Sequence, residues 1–270
     1  MHRVDGHFVR LAGALLLAAS LLGPAARAEV RNTEPPLQHI EVNRFDRKAL
    51  RTGALFFMYD CLSCHSVQGA RFSELTGQLN LSAKQVQEYL NTTARRVGQT
   101  MKSSMPPKIA EQFMHKAPPD LTVIAKRRSV DWLYTYLKSF YLDPSRPTGV
   151  NNVVVQNVAM PDVLASLQGL QKPVMRPGWR FGVRQQVAVG VRPETAGSMS
   201  PAQFDRTVRD IVLFLDAMAH PHARARATLG PWIVGLFAVL TTLSYLLYRQ
   251  YWRRVVTADG PRWWTYRGRR

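Results

Sequence analysis

Two uncharged apolar runs lie near the ends of the chain, and stretches of helical period fill the space between them. The first run, Leu11 to Leu22, has twelve residues, too few to cross a bilayer comfortably. The second, Leu229 to Tyr248, has twenty residues and no charge. As a helix it is roughly 30 Å long, the thickness of a hydrocarbon core. Between the runs, Leu50, Ala54, Phe57 and Met58 follow helical spacing within Asp46 to Tyr59. Ser82-Ala83-Lys84-Gln85 is a capping-box pattern that opens a helix to about Asn91. Met105-Pro106-Pro107 ends that region. Asp120 is a candidate N-cap, and Leu133, Tyr136, Leu137 and Phe140 predict one or two helices from Asp120 to Tyr141. Ser200-Pro201 starts a further helix to about Ala219, with an apolar stripe of Phe204, Val208, Ile211, Val212 and Leu215. His220-Pro221-His222 breaks it, and those two histidines read as a solvated helix end. Residues 143–152 are loop by composition, and Val153-Val154-Val155 is too short to assign. Residues 169–198, rich in Gly, Pro, Arg and Val, read as a small hairpin or a surface excursion. The pattern is mainly α, with no internal repeat and no low-complexity tract.

Flanking residues give the two apolar runs different meanings. Arg3, His7 and Arg10 precede the first run, and Gly23-Pro24 and Ala26-Arg27-Ala28 follow it. That is the layout of a secretory signal cleaved after Ala28, so residues 1–28 read as a signal peptide. The other reading is a short N-terminal membrane helix. The second run has Trp232 at one end and Tyr245, Tyr248, Tyr251 and Trp252 at the other, an aromatic belt that predicts a transmembrane anchor over 229–248. Beyond it, residues 249–270 carry seven arginines against one aspartate, a net +6. Short basic tails stay on the cytoplasmic side. Residues 29–228 are therefore expected outside the cytoplasm, held by one C-terminal anchor.

Composition narrows the function. A hydrophobic fraction of 46% and a charged fraction of 20% exclude wholesale disorder. Two cysteines exclude a disulfide scaffold. The formal net charge of +18 suggests nucleic acid, an anionic membrane or an acidic partner. The expected exported part holds 26 Lys and Arg against 16 Asp and Glu, a net +10. An exported domain does not meet chromosomal DNA, so no nucleic-acid role is assigned.

The two cysteines stand in Cys61-Leu62-Ser63-Cys64-His65. C-x-x-C-H is the attachment signature of c-type haem. Two thiols three positions apart reach the two vinyl groups on one porphyrin edge, and the adjacent histidine falls under the iron. Thioether attachment outside the cytoplasm agrees with the signal. Three other readings exist. A thioredoxin-like pair wants a βαβ pattern, which the sequence around Cys61 lacks. A zinc site wants a second ligand pair, and the pair His220 and His222 reads instead as a solvated helix end. A plain disulfide leaves His65 as coincidence. A sixth ligand comes from Met101, Met105, Met114, His115, Met160, Met175, Met199, Met218, His220 or His222. A methionine opposite histidine gives a higher potential than a second histidine. Met105-Pro106 and Met160-Pro161 stand out, because proline stiffens the presenting loop. Spacing does not choose between them.

Several segments, in order, resemble the cytochrome c1 family, the haem subunit of the ubiquinol–cytochrome c reductase (bc1 complex), in its proteobacterial form. They are Tyr59 to Ser66 around the motif, Ala117-Pro118-Pro119-Asp120-Leu121, and Asp131 to Leu137 (DWLYTYL). Ser145-Arg146-Pro147-Thr148-Gly149 with Asn151-Asn152, and Asn157-Val158-Ala159-Met160-Pro161, follow. Met199-Ser200-Pro201, Arg209-Asp210 and the single anchor complete the set. The resemblance implies a mainly α fold, a cytochrome-c-like helical haem domain with insertions plus one C-terminal transmembrane helix. It implies one covalent haem c on Cys61 and Cys64, with His65 and Met160 as iron ligands, Met160 being preferred to Met105. It also implies that Pro119, Arg128 (with Arg127 as a neighbour able to substitute) and Trp132 lie against the haem or its propionates. It implies as partners a cytochrome b subunit, a Rieske iron–sulfur protein as donor and a periplasmic c-type cytochrome as acceptor, in a dimeric complex in the lipid bilayer. The subunit then acts as the redox part of a reductase, with no bond-making chemistry of its own. Family members that dock a basic cytochrome often carry acidic patches, whereas this domain is basic overall; its acceptor is then met by a local acidic face, or is itself acidic or membrane-held. The same motifs also suit a free membrane-anchored mono-haem cytochrome serving an oxidase or another dehydrogenase.

Overall fold

The computed structural model describes residues 35–258 apart from 94, 115 and 181. The expected signal peptide and the last twelve residues of the basic tail lie outside the described residues. Among the described residues the fold is mainly α, with three separate two-stranded antiparallel ribbons.

Helix α1, Arg47–Phe56, starts where Asp46 caps it, its carboxylate accepting from the Lys48 and Ala49 N–H groups at 3.0 and 3.1 Å. Its end widens into a π-helical turn, Phe57–Cys61, that runs straight into the cysteine motif. Such wide turns occur often at functional sites. Ribbon β1–β2 (Val67–Arg71 with Thr100–Met101) follows, with α2 (Glu74–Leu79) and α3 (Ala83–Gln85) between its strands. The Ser82–Gln85 capping box forms as expected, and α3 passes into a second π-turn, Val86–Leu90. Helix α4, Pro107–Met114, opens at the proline pair that the sequence reading took as an end. Proline is suited to both, because it tolerates only the first turn of a helix.

The stretch from Asp120 splits into α5 (Ile124–Arg128) and α6 (Val130–Lys138) at Ser129, whose φ is +80°. The expected helix to Tyr141 ends earlier, and Phe140–Leu142 is strand β3, paired with β4, Val150–Asn152. The reason is tertiary. Asn152 donates its side-chain N–H to the Tyr136 carbonyl at 2.8 Å, and Phe140 is buried with Val150 and Val158. After α7 (Ala165–Gln168), residues 171–193 form the long hairpin β5 (Gln171–Arg180) and β6 (Val183–Pro193), turning at Gly182 with φ +78°.

Helix α8, Pro201–Ala219, is the centre of the domain. It starts at Ser200-Pro201, as the sequence predicts, and Gln203 completes a capping box with Ser200 that the sequence reading does not assign. The helix is buried on nearly all sides from Thr207 onward, and its apolar stripe packs on α1, α5 and α6. The Phe57 and Phe214 rings meet at 5.2 Å. Each such ring contributes about 1.5–3 kcal/mol by burial. Near its end, the buried Asp216 accepts from Arg44 through two contacts and lies 3.1 Å from His220 Nδ1, tying the N-terminal segment to the helix end. His220-Pro221-His222 then gives way to α9, Ala223–Ala258, which is solvent-exposed along its apolar length. It contains the expected 229–248 span and fits a single-pass membrane anchor.

A tight helix contact lies at Gly53, where an added Cβ meets the Asp210 carbonyl oxygen at 1.8 Å. Gly53→Ala therefore forces α1 off α8, at an expected cost of about 1–3 kcal/mol. The melting midpoint of the detergent-solubilised protein should fall by roughly 3–10 °C; an unchanged midpoint refutes the tight-packing account.

Candidate functional site

The π-turn makes the cysteine motif a tight corner. Leu62 N–H donates to the Phe57 carbonyl at 2.9 Å, and the N–H groups of Cys64 and His65 both donate to the Cys61 carbonyl, at 3.1 and 2.8 Å. Leu62 is fully buried, so it fastens the corner to the core while Cys61, Cys64 and His65 border a pocket. The pocket has a volume of about 590 Å³, counting its open mouth. A second wall is Lys116 to Pro119, and a third is Ala159, Met160, Pro161 and Val163. Apart from Asp60, Lys116 and the His65 ring, the lining is apolar and sulfur-bearing.

His65 Nδ1 lies 2.9 Å from the Pro119 carbonyl oxygen. A carbonyl only accepts, so Nδ1 carries the proton and Nε2 is the nitrogen left free. Burial lowers the imidazole's pKa, against opposing effects from the Pro119 carbonyl and Asp120. A neutral imidazole with one nitrogen tied to a carbonyl is the form that ligates metal. The Pro119 segment is itself held. Asp120 accepts from the Gln68 N–H at 2.8 Å and the Thr122 N–H at 2.9 Å, and Leu121 N–H donates to the Ser66 carbonyl at 2.8 Å. Burial, with Asp60 and Cys64 nearby, pushes the Cys61 thiol up to about 12.

Met160 is presented by a buttressed loop. Asn157 adopts φ +59°, a left-handed conformation that asparagine tolerates. Its N–H donates to Asn151 Oδ1 at 2.9 Å, and Asn151 donates to Asp143 at 2.9 Å. Val158 is buried against Phe140 and Val150. The Ser145–Asn152 segment therefore shapes the loop before Met160. The Tyr136 hydroxyl donates to Met160 Sδ at 3.3 Å. Burial, then the charge of Asp162, raises the Tyr136 pKa, so the phenol stays a donor. Burial also moves the Asp162 carboxyl up to about 6, against the pull of the Leu164 N–H.

Five residues singled out in the sequence, Cys61, Cys64, His65, Pro119 and Met160, thus line one pocket. Met105 does not line it, although its N–H donates to the Ser63 carbonyl at 3.2 Å. Arg128 and Trp132 are not in the lining either. The Arg128 guanidinium lies 5.1 Å from the Trp132 ring, which stacks on Tyr136 at 5.0 Å. They form a column behind Tyr136, one side chain removed from Met160. Arg127 is an exposed residue at the end of α5. Tyr136 was legible only as a core position of α6. The available signal was its hydroxyl, since a buried tyrosine finds a partner for its O–H.

The other readings of the cysteine pair find no support in this geometry. Both thiols are free. Among the described residues no three His, Cys, Asp or Glu side chains gather in a way that could hold a metal ion. Among the described residues the strands are antiparallel ribbons, without the parallel sheet of a thioredoxin.

Residues 38–255 match the model of the cytochrome C1 family. The chain belongs to the cytochrome c1 family. It is 36% identical to a protein named cytochrome c1 from Allochromatium vinosum, over 89% of this chain and 98% of the relative. It is also 36% identical to a protein from Nitrosomonas europaea named ammonia monooxygenase gamma subunit, over 89% of this chain and 97% of the relative. A Bradyrhizobium diazoefficiens protein named cytochrome b/c1 is 25% identical over 89% of this chain and 38% of its own length. Membership makes this a haem c protein of electron transport. The pocket fits that group: it offers two free thiols, an imidazole with a free Nε2 and a thioether within largely apolar walls.

Asp120 carries the second wall, so Asp120→Ala should cost about 1–2 kcal/mol through its two backbone partners. Asp120→Asn keeps an acceptor oxygen and should lose less, as read by the near-ultraviolet dichroism melt. Equal losses from the two variants refute this role for the acceptor.

Proposed function

We propose that this chain is the haem subunit of a quinol–cytochrome c reductase. It takes one electron from a Rieske iron–sulfur protein and passes it to a periplasmic c-type cytochrome. The observation that carries the reading is the meeting of Cys61, Cys64, His65 and Met160 in one largely apolar pocket. Cys61 and Cys64 would hold the haem through thioethers, and His65 Nε2 and Met160 Sδ would ligate its iron. The haem supplies a one-electron iron couple. The protein's work is positional and electrostatic. Pro119 holds the His65 ring through Nδ1, burial keeps that ring neutral, and the apolar walls limit water near the redox centre. The buttress from Asp143 to Asn157 holds the Met160 loop. Arg128 and Trp132 would serve the propionate side of the site, behind Tyr136.

The remaining assignments follow from the ends of the chain. Residues 1–28 act as an export signal, 29–228 form the periplasmic haem domain, 229–248 cross the inner membrane and 249–270 stay in the cytoplasm. A cytochrome b partner is supported by the relative whose name joins b to c1. The complex is dimeric, with two copies of this subunit. The relative named for a monooxygenase is equally similar, so assembly is decided by purification.

Mild-detergent purification of the tagged protein from its own membranes should recover b-type haem and a Rieske protein, with the c-type haem reduced by quinol. A c-type haem recovered alone and left oxidised by quinol refutes the reductase assignment, as does recovery with the other subunits of a monooxygenase. Met160→Ala should lower the haem potential by more than about 100 mV, within the roughly 0.8 V that axial ligands command. Haem staining of the denatured chain should persist in that variant. An unchanged potential removes Met160 from the iron.

A further inference from the structure

We propose that Tyr136 is a positioning residue for the Met160 sulfur and raises the potential of the centre by hydrogen bonding to it. The inference rests on the reading of Met160 as an iron ligand. A thioether sulfur has two lone pairs. In this structure the Tyr136 hydroxyl takes one of them, at 3.3 Å, and the other is left for a metal. The hydroxyl is held there by packing on both sides of its ring. Trp132 stacks on it, 5.0 Å away and within 9° of parallel, and Phe140 meets it edge-on at 5.3 Å. The backbone is fixed too, because the Tyr136 carbonyl accepts from Asn152 at 2.8 Å. The same Asn152 and Phe140 belong to the ribbon that leads into the Met160 loop. Donor and sulfur are therefore set by one piece of structure.

The chemical consequence has a definite sign. An O–H aimed at sulfur draws electron density from it and weakens its donation to iron. A sulfur poorer in electrons donates less to ferric iron and accepts back-donation from ferrous iron more readily. The hydrogen bond therefore disfavours the oxidised state, and its removal favours it. Tyr136→Phe keeps the ring, the stack and the edge contact, and deletes only the donor. At a fixed ambient potential its ferrous-to-ferric ratio should fall about fivefold, the factor that one net hydrogen bond commands. For one electron that is about 40 mV lower.

The test is a redox titration of the intact, haem-loaded protein in detergent. It follows the weak near-infrared sulfur-to-ferric-iron absorption alongside the potential. In wild type against Tyr136→Phe, the proposal requires a lower potential and a shifted band with haem content unchanged. In a Met160→Ala background, Tyr136→Phe should produce no further change, because the acceptor is gone. An equal shift in that background overturns the proposal, since the tyrosine then acts by another route. No shift in Tyr136→Phe, with Met160→Ala altering both potential and band, overturns it while leaving Met160 on the iron. If Met160→Ala alters neither, the ligand reading fails and the proposal with it. Should Tyr136→Phe not accumulate, 3-fluorotyrosine at position 136 is a stronger donor of nearly the same shape. It should raise the potential, and a fall or no change overturns the proposal.

Discussion

The contact between α1 and α8 is the constraint on which the rest of the domain depends. Beyond Asp210, helix α8 is apolar on nearly every side, so it must be covered, and Gly53 lets α1 lie against its backbone. That contact fixes where α1 ends. The π-turn Phe57–Cys61 is then pinned through the buried Phe57, Met58 and Leu62, and the cysteine corner follows. The pocket's first wall is thus a direct extension of the core. Its chemistry is placed by ordinary hydrophobic packing.

The other two walls come from segments about 55 and 100 residues further along, and each is held by a different device. The Pro119 wall is held by polar contacts, through Asp120 and the Ser66 carbonyl. The Met160 wall is held by a small satellite cluster and an asparagine network. This division suits a redox centre. Both far walls of the pocket are supported by contacts within the chain itself, so their positions do not depend on what the pocket binds.

The junction with the anchor uses a buried charge. Asp216 lies inside α8 with only 2% of its side chain exposed, and Arg44 and His220 meet it there. Arg224, in the first turn of α9, lies 5.1 Å over the Phe45 ring. These contacts join the segment just before α1 to the end of α8 and the first turn of α9. Removing a partner from such a buried pair leaves an uncompensated charge, which is why it resists rearrangement. They hold the haem domain against the root of the anchor helix.

The sequence by itself determined what depends on local chemistry or on composition. The capping box at Ser82, the helix start at Ser200-Pro201, the cysteine motif and the uncharged run of α9 are of this kind, because their signals lie within a few residues of one another. It named five of the pocket's residues, Pro119 only through the family's ordered segments, which also chose Met160 over Met105. Tertiary structure decided the rest. It ended α6 at Lys138, because Asn152 takes a carbonyl there and Phe140 gains more by burial in the ribbon than by another helical turn. It moved Arg128 and Trp132 behind Tyr136. It also gave Tyr136, one more member of an apolar stripe in sequence, the sulfur of Met160 as its partner. Such pairings join residues with no sequence signal in common, and only the folded chain brings them within reach.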